Sequence, residues 1–82
     1  MVIVEYHPGF QKLFSKIKDA STKEKIIKQL KKLRIDPELG KPMRFGRKGT
    51  RELYIPPFRL SYTYIKEDDR LILLDLYHKN EQ

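Results

Sequence analysis

The spacing of apolar residues changes twice along the chain, and each change marks a new kind of element. Val2-Ile3-Val4-Glu5-Tyr6 is a β-branched run stopped by His7-Pro8-Gly9, which predicts a first strand and a turn, with His7 as a cap or turn residue. Phe10, Leu13, Phe14 and Ile17 then recur at i, i+3, i+4 and i+7, one face of a short helix that tolerates a proline in its first turn. Asp19-Ala20-Ser21 breaks that stripe. Ser21-Thr22-Lys23-Glu24 has the form of a capping box, in which Ser21 and Glu24 satisfy free amides, so a second helix is predicted to start there. Ile26, Ile27, Leu30 and Leu33 keep helical spacing among lysines, and Asp36-Pro37 ends the pattern because the residue before a proline resists the α region.

After Gly40 the period becomes that of strands. Lys41 to Thr50 is glycine-containing and basic, and Arg51 to Ile55 reads as a strand closed by Pro56-Pro57. In the next stretch Phe58, Leu60, Tyr62 and Tyr64 fall on one face and Arg59, Ser61 and Thr63 on the other. Lys66-Glu67-Asp68-Asp69 predicts a polar hairpin loop. Arg70 to Tyr77 is nearly continuous in apolar residues, as in a central strand, with Asp75 as an interruption. The order β-α-α-β-β-β predicts an α+β fold of two layers, an antiparallel sheet with an N-terminal helical hairpin on one face, in a single domain spanning 1–82. The other sheet face is left for function.

Composition narrows the function. With 82 residues the chain builds one core, hiding about 60–65% of its unfolded surface, and has no room for a deep cofactor cavity besides. Zero cysteines exclude disulfide scaffolds, cysteine–zinc sites and thiol catalysis, and two histidines make a metal site improbable. No cofactor is expected. The longest apolar run, Leu71 to Leu74, is far from the roughly 20 residues of a membrane span, and the N-terminus lacks a signal-peptide layout, so a cytoplasmic protein without a membrane partner is expected. Eighteen Lys and Arg against eleven Asp and Glu give a formal charge of +7 on a chain that is 39% hydrophobic, a folded cation suited to a nucleic acid first and an acidic protein second.

That charge is of two kinds. The helical lysines are spread around exposed faces and alternate with acids, as on a solvated surface. Lys41, Arg44, Arg47, Lys48, Arg51 and Arg59 instead follow one another with Glu52 as their acid, on strands and loops where a sheet can hold them against phosphates. Arg59, opposite the core-facing Phe58, Leu60 and Tyr62, is placed to project from the uncovered face and clamp a phosphate; its alternative is an ordinary ion pair with a neighbouring acid. Histidine is the side chain best suited to moving a proton near neutral pH, which makes His78 a candidate proton carrier, although a terminal histidine is often only solvated. Tyr77 can stack on an unpaired base, or simply pack.

Asp36-Pro37-Glu38-Leu39-Gly40-Lys41-Pro42-Met43, Arg51-Glu52-Leu53-Tyr54, Phe58-Arg59-Leu60-Ser61-Tyr62 and the terminal Tyr77-His78-Lys79 together resemble the RelE/ParE superfamily of toxins from type II toxin–antitoxin modules. The resemblance implies a compact RelE-like β-α-α-β-β-β toxin neutralised by a cognate antitoxin. RelE-like members enter the ribosomal A site and cleave mRNA without metal, by attack of a ribose 2′-hydroxyl on the adjacent phosphate; ParE-like members inhibit DNA gyrase without hydrolysis. On the RelE-like pattern Arg59, His78, Lys79 and, more approximately, Arg51 are the expected catalytic positions. Lys41, Arg44, Arg47, Lys48 and Tyr77 are the expected RNA contacts. The chain departs from that pattern at Glu52 and Tyr54, where lysines can occur, and at Asn80-Glu81, where many members carry a functional tyrosine.

Overall fold

The computed structural model describes residues 2–42 and 49–78. Its elements are β1 (Ile3–Tyr6), α1 (Pro8–Lys16), α2 (Ala20–Ile35), β2 (Lys41–Pro42), β3 (Thr50–Ile55), β4 (Phe58–Ile65), a single 3₁₀ turn (Lys66–Asp68) and β5 (Arg70–His78). The strands form one five-stranded sheet in the order β1-β5-β4-β3-β2, with the helices packed on one face.

Local chemistry explains where each helix begins. His7 caps α1 by accepting a hydrogen bond at Nδ1 from the Gly9 amide at 3.1 Å. The cap of α2 is Asp19, not Ser21: its carboxylate accepts from the Ser21 amide at 3.2 Å and from the Thr22 hydroxyl at 2.7 Å, and the helix begins at Ala20. Those two bonds hold the Asp19 carboxyl below its ordinary pKa, the Thr22 hydroxyl contributing most. A carboxylate receiving two donors, next to the positive end of a helix, outcompetes a serine hydroxyl.

The sheet is mixed rather than wholly antiparallel. β2, β3, β4 and β5 are antiparallel neighbours, but β1 runs parallel to β5, with Val4 beside Leu71 and Tyr6 beside Leu73. Parallel pairing requires chain that crosses back over the sheet, and the two helices supply it. β5 also contains a bulge. Ser61 faces Asp75 and Tyr62 faces Leu73, so Leu74 is the extra residue, and Leu71, Leu73 and Leu76 all reach the helical side despite their mixed parity.

The core lies between the layers. Phe10 from α1 and Ile26 and Leu33 from α2 meet Ile55, Leu60, Tyr62, Leu71, Leu73 and Leu76 from the sheet, all of them buried. Leu13, Phe14, Ile17 and Leu30 pack around this centre, while Ile27 sits at its edge, 43% exposed. At the β4–β5 turn Asp69 adopts φ 49°, a left-handed conformation that short Asp side chains tolerate, and its Oδ1 accepts from the Tyr64 hydroxyl at 2.7 Å.

Candidate nucleic-acid interface

Register and alternation decide which side chains share the uncovered sheet face. Lys41, Glu52, Ser61 and Asp75 form one row across β2 to β5, and Tyr54, Arg59 and Tyr77 form the next. Their centre is Glu52. Arg59 Nη1 donates to Glu52 Oε1 at 2.7 Å, and the Tyr77 hydroxyl reaches across β4 to donate to Glu52 Oε2. The Arg59 guanidinium carbon also lies 5.8 Å from the Tyr54 ring centroid, within cation–π range. Ser61 lies beneath this cluster, 9% exposed. The pair is unequally covered, with 29% of the Arg59 side chain exposed against 13% of Glu52, so the arginine is the member that a ligand meets.

Beside the cluster runs an open groove of about 560 Å³, bordered by Leu39, Lys41, Pro42, Tyr54 and Arg59. That size is within the roughly 300–1,000 Å³ typical of small-ligand sites. Two cations, a half-exposed tyrosine ring and the Arg59-bound Glu52 line it; the cations and the ring are the combination that grips a phosphate while stacking on a base.

Arg51 is placed differently. It pairs with Tyr62 in the β3–β4 register and so lies on the helical side, away from Arg59. Its Nη1 donates to the carbonyls of Glu38 at 3.1 Å and Gly40 at 2.8 Å, and its Nη2 to the Glu38 carboxylate at 3.3 Å. The buried Tyr62 hydroxyl completes this brace, accepting from the Gly40 amide at 2.8 Å and donating to the Pro37 carbonyl at 2.9 Å. Burial pushes the Tyr62 phenol above its ordinary pKa, which keeps the donor proton in place. Gly40 permits the approach: a Cβ there would lie 2.6 Å from the Tyr62 hydroxyl oxygen and 2.9 Å from the Glu52 carbonyl. Together these contacts fix the chain from Pro37 to Gly40, and thereby the strand that carries Lys41. Tyr62→Phe should lower the unfolding free energy by about 1–3 kcal/mol, because it orphans the Gly40 amide and the Pro37 carbonyl. Urea denaturation checks this, and a variant as stable as the parent would show that the hydroxyl does not brace the turn.

His78 also lies on the helical side, opposite Phe58, whose ring it meets edge-on at 5.8 Å between centroids. Arg59 and Tyr77 are therefore brought together with Lys41 at the groove, whereas Arg51 and His78 stand on the other face. Arg44, Arg47, Lys48 and Lys79 lie outside the described residues. The residues that sequence reasoning did not assign to the site are Glu52 and Tyr54. Alternation in β3 carried the signal: Leu53 and Ile55 take the core side, which sends Glu52 and Tyr54 to the open face and Arg51 to the covered one.

Comparison with known proteins agrees with this architecture. The intact E. coli RelBE toxin–antitoxin complex contains a chain that superimposes with a TM-score of 0.82 at 17% identity, covering 100% of both chains. A YoeB/ParE toxin from Agrobacterium tumefaciens gives 0.83 at 17% identity over 94% of this chain and 98% of that one. A conserved hypothetical protein of Helicobacter pylori, solved in solution, is 31% identical over 99% of this chain and 98% of its own, with a TM-score of 0.68. A search of curated protein sequences found no match. The family model for the ParE toxin of the type II toxin–antitoxin system parDE matches residues 4–82, and the chain therefore belongs to that family, within the RelE/ParE toxin superfamily.

Proposed function

We propose that this type II toxin acts as a ribosome-dependent mRNA endonuclease, inhibiting translation by metal-independent cleavage. The observation that supports it is the groove in which Lys41, Tyr54 and Arg59 converge on the uncovered sheet face. In the reaction the ribose 2′-oxygen loses its proton and bonds to the adjacent phosphorus, the bond from phosphorus to the 5′-oxygen breaks, and that oxygen takes up a proton. The products are a 2′,3′-cyclic phosphate and a 5′-hydroxyl. Arg59 neutralises the charge that builds on the phosphoryl oxygens, Lys41 holds a neighbouring phosphate, and Tyr54 and Tyr77 stack on bases. The proton passes through solvent, since His78 ends β5 on the face away from Arg59; Lys79 is a further contact with the strand, and Arg51 acts through the braced turn rather than on the phosphate. Arg44, Arg47 and Lys48, outside the described residues, are proposed as further contacts with RNA phosphates.

The partner that silences the toxin is a cognate antitoxin. An apolar groove lined by Tyr6, Phe10, Phe14, Ile27 and Leu30 opens on the helical layer, whose other positions are rich in lysine, and it suits an amphipathic, acidic segment.

A second reading, gyrase inhibition without hydrolysis, is favoured by two observations: the matching family model is that of ParE, and His78 stands on the opposite face from Arg59. Supercoiling by purified gyrase and translation in a cell-free extract, each with added toxin, separate the two. Translation arrest with unimpaired supercoiling is expected; the reverse result would establish the second reading.

A further inference from the structure

Among the described residues of the open face, each arginine is matched by a glutamate. Arg59 is held by Glu52, and Arg70 by Glu5 at 2.9 Å. The Glu52 pair stands out for its setting. The carboxylate is the more covered partner, both of its oxygens are engaged, and its Oε1 takes the Nη1 donor of the guanidinium that borders the groove. A phosphate oxygen offers that guanidinium the same kind of anionic acceptor.

We propose that Glu52 is an internal counter-anion: it holds Arg59 in place of a phosphate, and a nucleic-acid phosphodiester has to displace it to engage the arginine. The inference rests on the reading of the groove as an RNA site and adds a device that sets its affinity. Tyr77 belongs to the same device, since its hydroxyl anchors Oε2 and leaves Oε1 to Arg59. Displacement is selective, because only a ligand that brings its own anion compensates the arginine; a neutral ligand leaves it on Glu52. The ion pair also subtracts Arg59 from the charges that release counterions, so the salt dependence of binding should be shallower than the formal charge suggests.

Fluorescence anisotropy with a labelled single-stranded ten-nucleotide RNA tests this at several salt concentrations. Glu52→Gln should bind roughly tenfold more tightly than the parent, the equivalent of replacing one charge-assisted bond by a neutral one. Its plot of log affinity against log salt should steepen by about one phosphate contact. The gain should vanish in Glu52→Gln/Arg59→Ala. Tyr77→Phe, which keeps the ring and loosens only the grip on Oε2, should give a smaller gain with the same dependence on Arg59, and it serves if Glu52→Gln does not fold. Unchanged or weaker binding by both variants while Arg59→Ala still weakens it would make Glu52 a mere support for Arg59 and overturn the proposal. An equal gain with and without Arg59 would also overturn it, as a simple effect of net charge. If Arg59→Ala changes nothing in either background, the RNA site itself fails, and the inference with it.

Discussion

Leu60→Ala should lower the unfolding free energy by about 2–5 kcal/mol, the range for removing most of a leucine side chain from a packed core. Leu60 is 0% exposed and sits mid-sheet, with Leu53 of β3 on one side and Leu76 of β5 on the other. Strands hydrogen-bonded on both sides limit how far the backbone can collapse into the void, so the cost belongs toward the upper end of that range. A domain of this kind has only about 5–15 kcal/mol in total, so the loss should be visible as a large drop in the urea midpoint at unchanged slope. Ile35→Ala is the matched control. Ile35 is 86% exposed at the end of α2, and its truncation should stay within about 0.5 kcal/mol. Equal losses in the two variants would contradict the placement of the core.

Much of this fold was legible because its elements are long enough to show a period. α1, α2, β3 and β4 each expose a repeating face in the sequence, β5 shows as a continuous apolar run, and β4 alone is sufficient to send Arg59 to the open side. What escaped was set by partners distant in sequence. β2 comprises two residues, too few for any period. The direction of β1 relative to β5 depends on how the helices return the chain, which no local pattern encodes. The capping-box pattern points to Ser21, and Asp19 takes the cap instead because one carboxylate there reaches two donors. The run Leu71 to Leu74 and the interrupting Asp75 make sense only with the bulge at Leu74, which reconciles odd and even positions in one core. The candidate site divides in the same way. Arg59 was found by alternation. Its bond to Glu52 depends on the β3–β4 register, and the diversion of Arg51 depends on a turn whose carbonyls it braces.

Arg59→Ala should lower the rate of RNA cleavage by roughly 10²–10³-fold, the usual cost of removing one fixed donor from the charge that develops in a transition state. The effect is expected to be large because Arg59 is held on a strand and flanked by Tyr54 and Tyr77, so that exchanging the Glu52 carboxylate for a phosphoryl oxygen leaves its backbone in place. Arg59→Lys should recover only part of the rate, since an ammonium keeps the charge but not the two-pronged geometry. Lys41→Ala, at the groove edge, should weaken RNA binding more than it slows the chemical step. Because Arg59 lies outside the packed core, these variants should remain folded, and circular dichroism verifies this before any rate is compared.

The most direct test of the account is to map new mRNA 5′ ends by primer extension on translating ribosomes supplied with purified toxin. Cuts within the A-site codon that carry 5′-hydroxyl ends and disappear with Arg59→Ala are expected. Intact mRNA in the presence of toxin that still arrests growth would contradict it.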